Sequence, residues 1–131
     1  MEADVEFLLI EREAQRLIAE FARASDDGRY DDLLEFFDAA ATYRVGDVVL
    51  QGRHAIGKRV SVRTTPPRRG KHLYTNIIVT LHGDRVRMES DFVYIQLIED
   101  QFVCRSIGRV IDILSQTKQG LRILDHEVVP G

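Results

Sequence analysis

The first part of the chain has helical spacing of its hydrophobic residues. From Val5 to Ala24, apolar residues recur every three or four positions and charged residues fill most of the others, which predicts a long amphipathic helix. Gly28 can take the left-handed conformation that ends helices, so we expect the helix to stop just before it. A Leu- and Phe-rich segment, Asp31–Phe37, predicts a short second helix, and Gly52–Val62 is weakly helical.

After a Pro- and Gly-containing loop that ends at Gly70, the hydrophobic period changes from helical to alternating. Short polar turns separate four long segments rich in β-branched and aromatic residues, which predicts an antiparallel meander. A helical half followed by a strand half is typical of an α+β fold in which the long helix lies across a curved sheet. The predicted strands are Thr42–Val45, Val48–Leu50, Lys71–Leu81, Arg85–Ile98, Gln101–Leu114 and Leu121–Val129.

The alternation within these strands predicts a pocket. Several residues expected to face the helix are small, and small residues beneath a helix leave volume unfilled. The opposite face of Gln101–Leu114 is too apolar for water, which predicts a subunit interface in a homodimer or homotrimer. The small inward residues are Ser90, Cys104, Ser106 and Gly108, and the apolar outer residues are Val103, Ile107, Ile111 and Ile113.

Composition narrows the class of protein. A chain of 131 residues, 44% apolar and 30% charged, is the right size for a single domain spanning residues 1–131. A net charge of -3 argues against nucleic acid as a partner. No apolar run approaches the roughly 20 residues of a membrane span, and the acidic N-terminus is unlike a signal peptide, so we expect a cytoplasmic protein without a membrane partner. The lone Cys104 excludes an intramolecular disulfide.

One carboxylate and one imidazole could form a general base. Asp26 ends the predicted long helix in a turn that would aim it at the sheet, and His72 opens a strand on the predicted inward face. A carboxylate fixes the tautomer of a neighbouring histidine and raises its basicity. The alternative is a half-buried structural histidine and a helix-terminal cap. An Asp and a His 46 positions apart are not a motif, so spacing alone favours the structural interpretation.

Several stretches resemble a known family across nearly the whole chain. Arg16–Phe37, with its Asp-Asp-Gly turn, the strand His72–Val79 followed by Gly83-Asp84, and the closing hairpin from Gly108-Arg109 to Arg122-Ile123 resemble SnoaL-like proteins of the nuclear transport factor 2-like superfamily. The resemblance implies a cystatin-like α+β cone, a curved antiparallel sheet with about three helices on its concave side. It also places Asp26 and His72 on the family's catalytic pair.

The resemblance implies a range of activities. Relatives with this pair, such as scytalone dehydratase and hexachlorocyclohexane dehydrochlorinase, remove a proton while a leaving group departs, and they use no metal or organic cofactor. Other members isomerise ketosteroids, cyclise polyketides or hydrolyse epoxides, and small subunits of ring-hydroxylating dioxygenases share the fold without chemistry. The chain departs from the pattern at Val110, at Gln116, where an arginine is common, and at Leu121. The missing arginine removes a candidate anion stabiliser.

We therefore expect a cofactor-independent lyase or isomerase that acts on a small cyclic or aromatic oxygenated compound, with Asp26 and His72 as the catalytic pair. Tyr43 is a candidate donor to a substrate oxygen, and Asn76 is a candidate because it shares a face with His72. Phe92 and Ser106 are candidates for the pocket wall. The alternative is a non-catalytic small-molecule-binding or accessory subunit of the same fold, with these side chains in structural roles.

The other histidines and the basic loop have simpler interpretations. His54, His82 and His126 are expected to be surface or structural residues, and no His, Asp or Glu cluster has metal-ligand spacing. The basic run Arg63–Lys71 is expected to be a solvated loop or a flap over the pocket, since it leads directly into the strand of His72.

Overall fold

The computed structural model describes residues 2–63 and 69–131, without the side chains of residues 62 and 63. Most of the predicted flap, residues 64–68, lies outside the described residues. None of the helices in the described part of the chain combines the length and hydropathy needed to cross a bilayer.

Three helices form where the sequence predicts them: α1 (Glu2–Asp26), α2 (Tyr30–Glu35) and α3 (Arg53–Arg63). The apolar stripe of α1 is buried, from Ala14 through Ile18 to Phe21. Gly28 ends this helix with a φ of +73°. The backbone N–H groups of Gly28 and of the next residue, Arg29, donate to carbonyl oxygens of the last turn at 3.3 and 2.9 Å. This glycine-dependent stop fixes where the final residues of α1 point.

The strands form one six-stranded sheet of order β2-β1-β6-β5-β4-β3. All neighbouring pairs are antiparallel except β1 and β6, which run parallel. The α+β fold is as expected, but the sheet is mixed rather than purely antiparallel. The parallel pair arises because α3 carries the chain from the β1–β2 hairpin to the far edge of the sheet, and the meander β3–β6 then returns to β1. The strands are β1 (Phe37–Val45), β2 (Val48–Gln51), β3 (Gly70–His82), β4 (Arg85–Ile98), β5 (Gln101–Thr117) and β6 (Gly120–Pro130).

The core lies between the buried stripe of α1 and one face of the sheet. Ile18 and Phe21 of α1 pack in one cluster with Phe37 of β1 and Met88 of β4. Phe37 is fully buried at the start of β1, which begins five residues earlier than the predicted strand. The core cluster therefore lies along the C-terminal half of α1, which ends at Asp26.

A bulge in β5 overturns part of the predicted alternation. Tyr94 pairs with Ser106 but its neighbour Ile95 pairs with Cys104, so Arg105 is an extra residue in β5. Residues before the bulge therefore face the opposite way from the prediction. Cys104 is exposed rather than part of the inner face, and Phe102, two residues before it, is 80% exposed.

Candidate active site

A cavity of about 720 Å³ opens between the C-terminal half of α1, α2 and the inner face of the sheet. Aromatic rings make up much of its wall, including those of Phe21, Tyr30, Phe37, Tyr74 and Tyr94. A volume of this size suits one small organic molecule. The five predicted site residues that line the cavity are Asp26, Tyr43, His72, Phe92 and Ser106.

Asp26 holds His72 with both carboxylate oxygens. Asp26 Oδ1 lies 2.6 Å from His72 Nδ1, and Asp26 Oδ2 accepts the backbone N–H of His72 at 2.9 Å. The two side chains are 11% and 27% exposed, so the pair is shielded but open on the cavity side. Because the carboxylate accepts at Nδ1, this nitrogen carries the ring proton and Nε2 is left as the basic nitrogen.

Local structure brings the pair together. Asp26 is the last residue of α1, where the Gly28 turn stops the helix above the beginning of β3. His72 is the third residue of β3 and pairs across the ladder with Tyr94, whose ring stacks on the imidazole at a centroid distance of 4.4 Å. Two restraints, the carboxylate and the aromatic ring, therefore fix the orientation of His72.

Phe92, part of the cavity wall, lies close to its register partner Gly108 on β5. A Cβ atom at Gly108 would lie 2.9 Å from Cε1 of Phe92 and 2.6 Å from the carbonyl oxygen of Val129. The space above Gly108, predicted to be open, is thus partly filled by the Phe92 ring. The ring forms a flat surface inside the cavity.

Asn76 does not share the inward face of His72, and this prediction is wrong. A register shift between Thr75 and Ile78 interrupts the alternation of β3, and Asn76 takes a φ of +52°. Its side chain is exposed and donates from Nδ2 to Asp91 Oδ2 at 2.9 Å, outside the cavity. Hydrogen bonds from Arg109 and then from Asn76 hold the pKa of Asp91 below its usual value of 3.8.

A second histidine–carboxylate pair, which the sequence did not reveal, contributes its imidazole to the same cavity. Of the surface or structural roles expected for His126, its 2% exposure excludes the surface one, and the residue lines the cavity. Its Nδ1 lies 2.6 Å from Oδ1 of the fully buried Asp112. His54 and His82 are exposed, as expected.

Two other positions bear on charge in the cavity. Arg105, the bulge residue of β5, lines the cavity although its side chain is largely exposed. Gln116, which stands where an arginine is common in the family, is exposed and donates to the carbonyl oxygen of Asp84 at 3.1 Å. Gln116 is not among the residues that line the cavity. Within residues 2–63 and 69–131, no group of three or more His, Cys, Asp or Glu side chains is placed to hold a metal ion.

The sequence profile of the SnoaL-like domain matches residues 6–126. This chain belongs to the SnoaL-like domain family. No curated protein matches this SnoaL-like domain in sequence.

Solved structures share the fold of this SnoaL-like domain at low sequence identity. An NTF2-like protein with a cystatin-like fold from Novosphingobium aromaticivorans has a TM-score of 0.88 and 21% identity over 98% of this chain and 86% of its own. A Mycobacterium tuberculosis protein of unknown function has a TM-score of 0.88 and 19% identity over 100% and 76%. A Novosphingobium aromaticivorans protein described as the beta subunit of an aromatic-ring-hydroxylating dioxygenase has a TM-score of 0.82 and 17% identity over 99% and 92%. At these identities the similarity shows the fold alone.

Proposed function

We propose that this SnoaL-like domain is a lyase or isomerase of the dehydratase or cyclase type, acting by proton abstraction on a small cyclic or aromatic oxygenated compound. The observation that carries the proposal is that both carboxylate oxygens of Asp26 form hydrogen bonds with His72 in the wall of a cavity. A carboxylate that keeps the ring proton on Nδ1 leaves Nε2 as the basic nitrogen that proton abstraction requires. The chemistry proposed here uses side chains of this chain and no cofactor.

In the proposed reaction, His72 Nε2 takes a proton from carbon, and the C–H electron pair moves toward an adjacent carbonyl. Asp26 keeps the proton on Nδ1 and stabilises the imidazolium that forms. The imidazolium then returns the proton to a leaving hydroxyl, which departs as water, or to another carbon, which completes an isomerisation. Tyr43 is the proposed donor to the carbonyl oxygen or leaving hydroxyl, since it lines the same cavity.

The cavity wall supports a ring-shaped substrate. The Phe92 ring and the tyrosine rings beside His72 offer flat apolar surfaces on which a planar compound can stack. Ser106 lies on β5 directly across from Tyr94, close to the pair, and is the proposed polar contact at that end.

Hydrogen–deuterium exchange of 2-tetralone and related cyclic ketones in D₂O, followed by proton NMR, tests the proton-abstraction step without a known substrate. The wild-type protein should accelerate exchange at the carbon next to the carbonyl, and His72→Gln should abolish the acceleration. His82→Gln, at the exposed last residue of β3, is the matched control and should exchange like wild type. Equal rates for wild type and His72→Gln would overturn the proposal.

We also propose that the chain self-associates as a dimer or trimer through the outer face of the sheet. Leu73, Val93 and Ile107 are register partners on three adjacent strands, and Leu73 and Ile107 are 49% and 57% exposed. A row of exposed apolar side chains is costly in water unless another surface covers it. Ile107→Asp should convert the oligomer to monomer in analytical ultracentrifugation, whereas a wild-type monomer would contradict the proposal.

A further inference from the structure

The second pair occupies a row across three neighbouring strands. Asp112 of β5 is the register partner of His126 of β6, which in turn is the partner of Tyr43 of β1. All three side chains lie on the inner face, and the Tyr43 and His126 rings are 5.0 Å apart. The Phe21 and Phe37 rings contact the imidazole from other sides, at 5.3 and 6.0 Å. The imidazole of His126 therefore has one fixed orientation.

A contribution to folding stability does not by itself explain why this pair is buried. The side chains of His126 and Asp112 are 3% and 0% exposed, and Asp112 Oδ2 makes no hydrogen bond with any described residue. Burying a carboxylate with half of its acceptors unmet is costly, and an apolar pair of the same size would often be at least as stable. The pair instead presents the polar imidazole of His126 to the cavity that this residue lines.

The available atom is Nε2 of His126. Asp112 occupies Nδ1, and no hydrogen bond reaches Nε2 from the described part of the chain. With the proton held on Nδ1, Nε2 of a neutral ring accepts a hydrogen bond. A hydroxyl on a molecule in the cavity is the matching donor.

Two different residues of α1 contact the two imidazoles. His126 contacts the Phe21 ring, whereas His72 is held by Asp26, and these two α1 residues are five positions apart, about 7.5 Å along a helix axis. Both imidazoles line the same cavity. A ligand with two oxygen functions therefore offers one to each ring.

We propose that His126, held by Asp112, is a second substrate-binding residue that accepts a hydrogen bond through Nε2 from a second hydroxyl of the substrate, one that His72 does not contact. The inference rests on the proposed function for its substrate and extends it to a compound with two oxygen functions.

The test compares 2,6-naphthalenediol with 2-naphthol, two probes of one shape that differ by one hydroxyl, by isothermal titration calorimetry. Wild type should bind the diol about 5-fold more tightly, the usual net effect of one hydrogen bond. The His126→Phe/Asp112→Leu double variant removes both partners and leaves no unpaired buried charge, and in it the two affinities should be equal. The control His54→Phe, an exposed position on α3, should keep the wild-type ratio.

A measurement on the wild-type protein keeps the test independent of variant folding. In ¹⁵N NMR of labelled histidine, adding the diol should shift the Nε2 resonance of His126 and leave its Nδ1 resonance nearly unchanged. The proposal is overturned if neither naphthol binds, if the affinity ratio survives in the double variant, or if the diol binds without shifting Nε2. Because no step of this test involves proton abstraction, loss of the ketone-exchange activity and loss of diol preference are separate results.

Discussion

Replacing Asp26 by Asn tests whether the carboxylate sets the tautomer of the base. The variant side chain keeps one acceptor and gains an NH₂ donor, yet it faces two N–H groups of His72, at Nδ1 and at the backbone nitrogen. If the amide oxygen accepts the backbone N–H, its NH₂ group meets Nδ1, and the ring proton must move to Nε2. The imidazole then keeps its place but has no basic nitrogen toward the cavity.

The size of the effect follows from the two hydrogen bonds. The tautomer with the proton on Nδ1 requires the opposite orientation of the amide in the Asp26→Asn variant, in which the NH₂ group faces the backbone N–H of His72. Two donors then face each other at a cost of about 2 kcal/mol, so the population of the productive tautomer falls about 30-fold. Loss of the negative charge beside the forming imidazolium removes a charge-assisted bond of about 2 kcal/mol, another factor of about 30. Together these predict a decrease of about 10³ in the rate of ketone exchange, compared with about 10⁴ for a tautomer-fixing aspartate in a serine protease.

Two measurements check this prediction. Long-range ¹⁵N–¹H NMR of His72 should show the proton on Nδ1 in wild type and on Nε2 in Asp26→Asn, and ketone exchange should fall in parallel. Asp32→Asn, an exposed substitution on α2, is the control and should change neither. If Asp26→Asn retains the Nδ1 proton and wild-type exchange, the carboxylate has no part in the mechanism.

Two further predictions concern stability and charge. Gly108→Ala should lower the free energy of unfolding by about 1–3 kcal/mol in urea denaturation, because its Cβ would meet Phe92 and a strand carbonyl at under 3 Å; an unchanged midpoint would contradict this packing. Arg109→Ala should raise the pKa of Asp91 toward 3.8 in an NMR carboxyl titration. Folding lowers the pKa of Asp91, so its ionised form favours the folded state above pH 3.8, and this contribution to stability disappears as the pH falls through the lower pKa of the folded state. Arg109→Ala should lose this contribution. If the stability of wild type and variant falls identically at acidic pH, the ion pair is excluded.

The helices, the strands and the Asp26–His72 pair could be predicted from sequence, because hydrophobic periodicity is a strong signal over long segments. The helix-ending Gly28 predicted where α1 stops, and with it the placement of Asp26 over the sheet. The parallel pairing of β1 with β6 could not be derived in this way. It depends on long-range contacts that leave no local pattern in the sequence.

The second pair could not be predicted because of one extra residue. With a regular hairpin from the Thr117–Gly120 pair, Asp112 would face Asp125, and His126 would face Ile111 on the outer side. A register shift beyond the Leu114–Ile123 pair changes this, so that Asp112 pairs with His126 on the inner side. The same mechanism, a bulge, explains why Cys104 and Asn76 were placed wrongly. Strict alternation predicts faces only as far as the first bulge.

The backbone amide of His72 has an unusual partner for a residue in a strand. Its N–H donates to a side chain of α1, Asp26 Oδ2, rather than to a neighbouring strand. This bond breaks whenever the end of α1 lifts from the sheet, and the Nδ1 contact breaks with it. Solvent exchange at this one amide therefore measures how often the base is assembled. Asp112 and His126, joined within one hairpin, would remain paired during such an opening.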